Sequence, residues 1–293
     1  MFDRSQPKEE IAIALQTRLL GEGFAVEILD VDLADIDDAT LAEVRDQWMA
    51  HKVAILRDQT LSDDALVDFT ERMGPLFVHV RDQFRSLERP EIMYISNVEE
   101  DGRPLGALGN GELHWHSDQT YTRRPVFGTM MYAIEVPEAG GDTWFGDLAA
   151  AYAEMPAEMR ASVDGRKACY SIEKKSLKRR YETPQYQKDQ APDQWHPLVR
   201  THPYLDRKAL YLSPGHMNAI GDLSFEDSEA EIARLQDWAA QDRFVYKHRW
   251  HKNDVVIWDN SSVMHRRDGF PPEQRRFMKR TGFHLPEERG VPF

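Results

Sequence analysis

The last two-thirds of the chain is a succession of short apolar runs: IMYISNV, FGTMMYAIEV, GDTWFGDL, ACYSIEK, KALYLS, FVYKHRW, DVVIWDN and RRFMKRTGFHL. They are rich in β-branched and aromatic residues and are separated by Gly, Pro and Asp, which is how strands and turns are written. So many short strands in a row predict a sandwich or barrel with helices packed outside. The expected class is mainly β with outer helices.

The first ninety residues read differently. IALQTRLL and FAVEILDVDL are strands around the turn GEG, and VAILRD is a third strand. DDATLAEVRDQWMAHK is a helix capped by Asp37 or Asp38, with Leu41, Val44 and Trp48 on one face. LSDDALVDFTERMG is a second helix, with Ser62 as N-cap, Gly74 as stop, and Leu66, Phe69 and Met73 turned to the core. Two helical insertions are expected among the later strands, about Leu148 to Asp164 and about Glu226 to Asp242. The stretch 174–194 is polar and lacks periodicity. It reads as a loop, either a lid or a surface insertion. The chain is taken as one domain over 1–293, with 1–90 as support and 91–293 as the barrel.

Charge narrows the partners. The 37 basic and 50 acidic side chains leave a net charge of −13. That argues against nucleic acid, which needs a basic surface to release counterions, and against an anionic membrane. Small anions remain open, because a pocket can be locally basic. The single cysteine, Cys169, allows no intrachain disulfide and no cysteine-built metal site, and it reads as a buried, inert thiol on a strand. The opening MFDRSQPKEE lacks the apolar centre of a secretory signal, and no run approaches the roughly 18 apolar residues of a membrane span, so a soluble cytoplasmic protein is expected.

LHWHSDQTY, residues 113–121, carries the chemistry. Side chains two apart on a strand share a face, so either His114 with His116 or His116 with Asp118 could converge. A third ligand must come from elsewhere. His265, in VVIWDNSSVMHRRDGF, follows a strongly apolar strand that offers rigid support. Two histidines and one carboxylate form the facial triad of non-haem iron(II) oxygenases, which leaves the opposite face for a chelating co-substrate and O₂. Further on, PPEQRRFMKRTGFH read as a strand puts Arg276, Met278 and Arg280 on one face. The two arginines are then about 13 Å apart, too far to share one small anion. They suit two anions, or one anion and one structural partner, and arginine's planar fork fits carboxylate or sulfonate.

With these residues in view, the chain resembles the iron(II)/2-oxoglutarate-dependent dioxygenases of the taurine dioxygenase and 2,4-dichlorophenoxyacetate dioxygenase family. The resemblance runs through VAILRDQTLS, FTERMGPL, ISNVEEDG, LHWHSDQTY, VPEAGGDTWFGDLAAAY, HPLVRTHP, KALYLS, FVYKHRW, DVVIWDNSSVMHR and RRFMKR, in the family's order. ISNVEEDG, HPLVRTHP and FVYKHRW look closer to the phenoxyacetate-degrading branch. The resemblance implies a double-stranded β-helix, a cupin-like jelly-roll barrel. It implies His116, Asp118 and His265 as ligands of Fe(II), with His114 a neighbour. Thr143 and Arg276 correspond to the residues that hold 2-oxoglutarate. Arg280 corresponds to an arginine at the substrate's anionic group or the co-substrate region. His79 corresponds to a sulfonate-binding histidine, although FVHVRDQF departs from the taurine pattern and has Asp82 where an aromatic stands three positions on. Asn97 ends a strand near the pocket, as a substrate or co-substrate contact or as a structural hydrogen-bonder. Trp144 and Phe145 line or back the pocket, Trp258 is core, and His202 is structural.

The implied reaction uses Fe(II), 2-oxoglutarate and O₂ to hydroxylate a small anionic molecule, an aryloxyalkanoate-type carboxylate or a sulfonate, with succinate and CO₂ as co-products. A homodimer or tetramer is the family expectation. The rival readings are a biosynthetic oxygenase acting on an amino acid or other metabolite, a zinc hydrolase using the same three ligands, and a jelly-roll binding protein without turnover.

Overall fold

In the computed structural model, which describes residues 15–177 and 182–289, the strand Val255–Asp259 lies inside an eight-stranded sheet. Across the sheet the order is Thr17–Leu20, Ala25–Ile28, Val53–Leu56, Val255–Asp259, Gly128–Glu135, Phe277–Phe283, Met93–Ser96 and Ala107–Leu108. A four-stranded sheet, in the order Val245–His248, Thr143–Asp147, Val263–Arg267 and Leu113–His116, packs against it.

Alternation along each strand builds two cores at once. Val53, Ile55, Met131, Val256, Trp258 and Met278 from the large sheet meet Phe145 and Val263 from the small one. Their neighbours Ala54, Leu56, Met130, Val255 and Ile257 turn the other way, under the N-terminal helices. A strand covered on both faces has no polar side to show, which is why VVIW is apolar throughout. Two facing sheets with helices outside make the double-stranded β-helix, a jelly roll.

The helices follow local rules. Asp38–His51 is capped by Asp37, whose side chain accepts from Thr40 N at 2.7 Å, and Leu41, Val44 and Trp48 are buried. Asp63–Met73 is capped by Ser62 and stops at Gly74. Trp48 sits edge-on to Phe127 and Phe283, with ring centroids 5.3 and 5.5 Å away, and so ties the first helix to the barrel. A third core backs the small sheet, where Met264 meets Leu148, Tyr152, Ile232 and Leu235.

Three expectations need correction. The helix expected over 148–164 is two helices, Leu148–Ala153 and Ala157–Val163. Pro156 divides them, because it cannot donate its backbone nitrogen and pushes Met155 away from helical angles. The later helix is Phe225–Ala239, capped by Ser224, with a separate 3₁₀ turn at Asp242–Phe244. The stretch 174–194 also differs from a plain loop. Its residues 178–181 lie outside the described residues, as do Ile13 and Ala14 of IALQTRLL and the opening MFDRSQPKEE. Its remainder holds a helix, Gln185–Gln190, whose buried Gln187 donates to Gln83 at 2.8 Å. Tyr186 donates to Asp82 at 2.7 Å, and buried Lys174 is paired with Glu229. Among the described residues, no helix is long and apolar enough to cross a membrane.

Candidate active site

The small sheet delivers the ligands. His265 lies on Val263–Arg267 and is directly opposite His116, the last residue of Leu113–His116. Their rings are 4.2 Å apart. Asp118 is not on the strand as the i, i+2 argument assumed. The strand ends at His116, and the turn that follows carries Asp118 inward, 3.9 Å from His265 Nε2. His114 is exposed and is not part of the cluster. Ligand atoms of His116, Asp118 and His265 all lie within 4.8 Å of one another.

Each of the three is oriented by something behind it. His116 Nδ1 is 2.8 Å from the His114 carbonyl oxygen, which can only accept, so Nδ1 carries the proton and Nε2 is left as the donor to a metal. Asp118 Oδ2 accepts from the Thr129 hydroxyl at 2.9 Å, and Oδ1 is 3.1 Å from Arg280 Nη1. Asn260 closes a ring, accepting from Asp118 N at 3.1 Å and donating to Thr129 Oγ1 at 2.7 Å. His265 packs against Trp258 and Phe145, with centroids 4.9 and 6.2 Å away.

Electrostatics set the protonation states that ligation requires. Burial, then the nearby His116, pulls His265 down to about 3, and burial also lowers His116. Burial opposes charge on Asp118, but Arg280 with both histidines outweighs it, and the carboxyl sits well below its usual range. Neutral imidazoles and an ionised carboxylate are the forms that hold a divalent metal.

A second cluster lies along the same inner face. Thr143 is opposite Arg267 on one side and His248 on the other. Its hydroxyl accepts from Trp250 Nε1 at 2.9 Å, and the same indole lies 6.0 Å from the Arg276 guanidinium, so Trp250 joins the two. Arg276 does not share a regular strand face with Arg280. It precedes the strand Phe277–Phe283, and the register shifts between Phe277 and Met278. Its guanidinium is buried, and Nε and Nη1 have no hydrogen-bond partner among the described residues. Burial and then Arg267 push its pKa well down, against a weaker pull from Asp142. The motif GGDTWF explains the room it has. Gly140 and Gly141 both take positive φ, and a Cβ at Gly141 would stand 3.4 Å from Arg276 Nε. A buried cation with free donors, reached past two glycines, fits a carboxylate.

The remaining expected residues are placed as follows. Asn97 donates to the Gln274 carbonyl at 2.8 Å and accepts from Arg276 N at 2.9 Å, so its side chain is committed to the backbone that presents Arg276. Arg280 is committed to Asp118 and to Met93 Sδ. His79 is buried, with Nε2 2.6 Å from Gln119 Nε2 and Nδ1 accepting from Arg81 N, and burial followed by Arg280 keeps it neutral. His202 is 3.3 Å from Asp259, and Trp258 is buried. Trp144 faces outward to Asp268 at 2.8 Å, while Phe145 faces inward.

Several residues escaped the sequence reading. Asn260 and Trp250 act through contacts more than a hundred residues away in the chain, and Thr129 reaches Asp118 across eleven residues that include a turn, so no local pattern announces them. Arg267 could have been found, because it stands two after His265 and so shares its face. It donates through Nη2 to the carbonyls of Leu108, Gly109 and Gly111, and burial lowers its pKa to about 10.

A jelly roll with two histidines and a carboxylate at one end of the small sheet, and a buried unpaired arginine beside them, is the plan of a 2-oxo-acid-dependent oxygenase. Residues 16–281 match the model of the taurine catabolism dioxygenase TauD, TfdA family, and the chain belongs to that family. It is 32% identical over 269 residues to the alpha-ketoglutarate-dependent 2,4-dichlorophenoxyacetate dioxygenase of Cupriavidus pinatubonensis, an alignment covering 88% of this chain and 93% of the relative. It is 30% identical to the (S)-phenoxypropionate/alpha-ketoglutarate-dioxygenase of Sphingobium herbicidovorans, covering 87% and 90%. Among solved structures, AAD-2 in complex with Mn(II) and N-oxalylglycine superposes with a TM-score of 0.84 at 28% identity, over 94% of this chain and 99% of that one. The protein is an Fe(II)/2-oxoglutarate-dependent dioxygenase with O₂ as oxidant.

Proposed function

We propose that the enzyme hydroxylates a small organic anion, an aryloxyalkanoate-type carboxylate or a sulfonate, converting 2-oxoglutarate and O₂ to succinate and CO₂. The observation that carries this reading is the joint presence, on one inner face, of the His116, Asp118 and His265 cluster and the unpaired Arg276 guanidinium. The names of the relatives, a 2,4-dichlorophenoxyacetate and a phenoxypropionate dioxygenase, support the substrate class.

In this reading His116, Asp118 and His265 hold Fe(II), which when bound supplies a redox-active Lewis acid that binds O₂ and a chelating 2-oxo acid. Arg276 and Thr143 grip the distal carboxylate of 2-oxoglutarate, and Trp250 and Asn97 keep those two residues in place. Arg280 belongs to the co-substrate side, where it holds Asp118 and keeps it ionised. The apolar wall of Phe145, Trp258 and Val263 keeps water from the inner side of His265. A hydroxyl placed on a carbon beside an ether oxygen or sulfur gives an unstable product that splits, so hydroxylation suffices for cleavage.

The test is succinate formation by metal-free protein given Fe(II), ascorbate, 2-oxoglutarate and O₂, with aryloxyacetates, aryloxypropionates, alkyl sulfonates and amino acids as a panel. Stimulation above the substrate-free rate by one of the anions is the expected outcome. Stimulation by amino acids alone would move the enzyme to the biosynthetic reading. No succinate from iron-loaded protein would sink the assignment altogether.

A further inference from the structure

Space and charge disagree about where a substrate's anionic end would lie. The wall beside Asp118, where Arg280 and His79 stand, encloses only about 10 Å³, room for about one water. A cavity of about 550 Å³ opens instead on His116, within the range of small-molecule sites. Phe84, Leu108, Leu113 and Leu177 give it apolar walls. Neither Arg280 nor His79 reaches it, and both are already engaged, Arg280 by Asp118 and His79 as a neutral ring on Gln119.

Arg81 is the one lysine or arginine among the described residues lining that cavity. Its guanidinium has no ion pair or hydrogen bond among the described residues, although acids are plentiful nearby. Asp82 is taken by Tyr186 and lies 4.0 Å from Arg85, and the cavity's own Glu112 lies 3.4 Å from Arg266. Arg81 is half-buried, and its backbone N–H donates to His79 Nδ1 at 2.9 Å, which fixes the chain where the side chain leaves it. In a protein of net charge −13, a partly buried cation left unpaired on a cavity with apolar walls at Phe84, Leu108, Leu113 and Leu177 is a receptor for an external anion.

We infer that Arg81 is the specificity residue that takes the carboxylate or sulfo group of the substrate, whose aryl or alkyl body lies along Phe84, Leu108 and Leu113 toward His116. The inference rests on the proposed organic-anion substrate and names the residue that would recognise it.

Binding separates the two claims without turnover. Wild-type protein, Arg81→Ala and Arg81→Lys, each loaded with Mn(II) and N-oxalylglycine, are titrated calorimetrically with 2,4-dichlorophenoxyacetate and its uncharged amide, and with hexyl sulfate and hexanol. Wild type should prefer at least one anion to its neutral partner. Arg81→Ala should weaken that anion about 10- to 100-fold, the loss expected for one charge-assisted contact, and leave the neutral partner and N-oxalylglycine unchanged. Arg81→Lys should recover most of the loss. If wild type prefers the anion and Arg81→Ala binds it equally well, or loses acid and neutral probe alike, Arg81 is not the anchor and the organic-anion reading stands. If wild type binds no probe, or binds acid no better than its neutral partner, both fall.

Discussion

The Thr129 hydroxyl donates to Asp118 Oδ2 at 2.9 Å and itself accepts from Asn260 Nδ2 at 2.7 Å. All three side chains are buried, so the carboxylate is aimed before any metal arrives. Thr129→Val keeps the shape and removes the donor. It should weaken Mn(II) or Fe(II) binding by about 10- to 100-fold, as for other partners of metal-ligating groups, while the circular dichroism spectrum stays native. His116→Ala and Asp118→Ala should abolish both metal binding and turnover. Wild-type metal affinity in Thr129→Val would remove it from the site.

Arg276 presents a buried guanidinium with two unpaired nitrogens, and Arg267 adds like charge nearby. An unpaired buried charge destabilises a fold, and a ligand that pairs with it restores what was lost. Arg276→Met should therefore melt at or above the wild-type temperature without co-substrate. Wild-type protein with Mn(II) should gain several degrees on adding N-oxalylglycine, and Arg276→Met should gain almost nothing. Equal gains in the two proteins would show that the anion binds elsewhere.

What the sequence disclosed depended on how local the cause was. Asp37 and Ser62 act on the next turn of chain, and both caps stand where their residue types placed them. The apolar runs became strands because burial on one or both sheet faces is a property of the run itself. The residue types of the ligand trio were readable. The path by which Asp118 arrives was not, because the strand stops at His116 and the turn geometry depends on Asn260, 142 residues away. Pro156 is the opposite case, since the break was written in the sequence and only the surrounding alanines hid it. Arg81 has no local signature, because an arginine becomes a binding residue only when the folded chain withholds a carboxylate from it.

Cys169 is buried on the strand Lys167–Tyr170, and burial pushes its thiol up to about 11. At pH 8 only about one molecule in a thousand then carries the thiolate that attacks a reagent. Native protein should fail to react with a disulfide reagent over minutes, and one thiol per chain should appear on unfolding in guanidinium. Rapid reaction of the native protein would place the sulfur at the surface.

His196 sets an acid limit on the fold. The ring is buried between Tyr170 and Tyr211, with centroids 5.5 and 5.8 Å away, and Nε2 lies 3.2 Å from the Thr122 carbonyl oxygen. Burial lowers its pKa to about 4, against about 6.5 in an unfolded chain. Above pH 6.5 the ring is neutral in both states and titration contributes nothing. Below that, the unfolded chain takes up a proton that the native state refuses, so stability falls with pH until the native ring is protonated near 4. His196→Gln keeps a hydrogen-bond donor but does not titrate. Its melting temperature should lie below that of wild type at pH 7.5, and the gap should narrow as pH falls from about 6.5 to 4. Melting curves of metal-free protein at half-unit steps measure the difference, and a gap that stays constant across the window would mean His196 is accessible to protons in the folded protein.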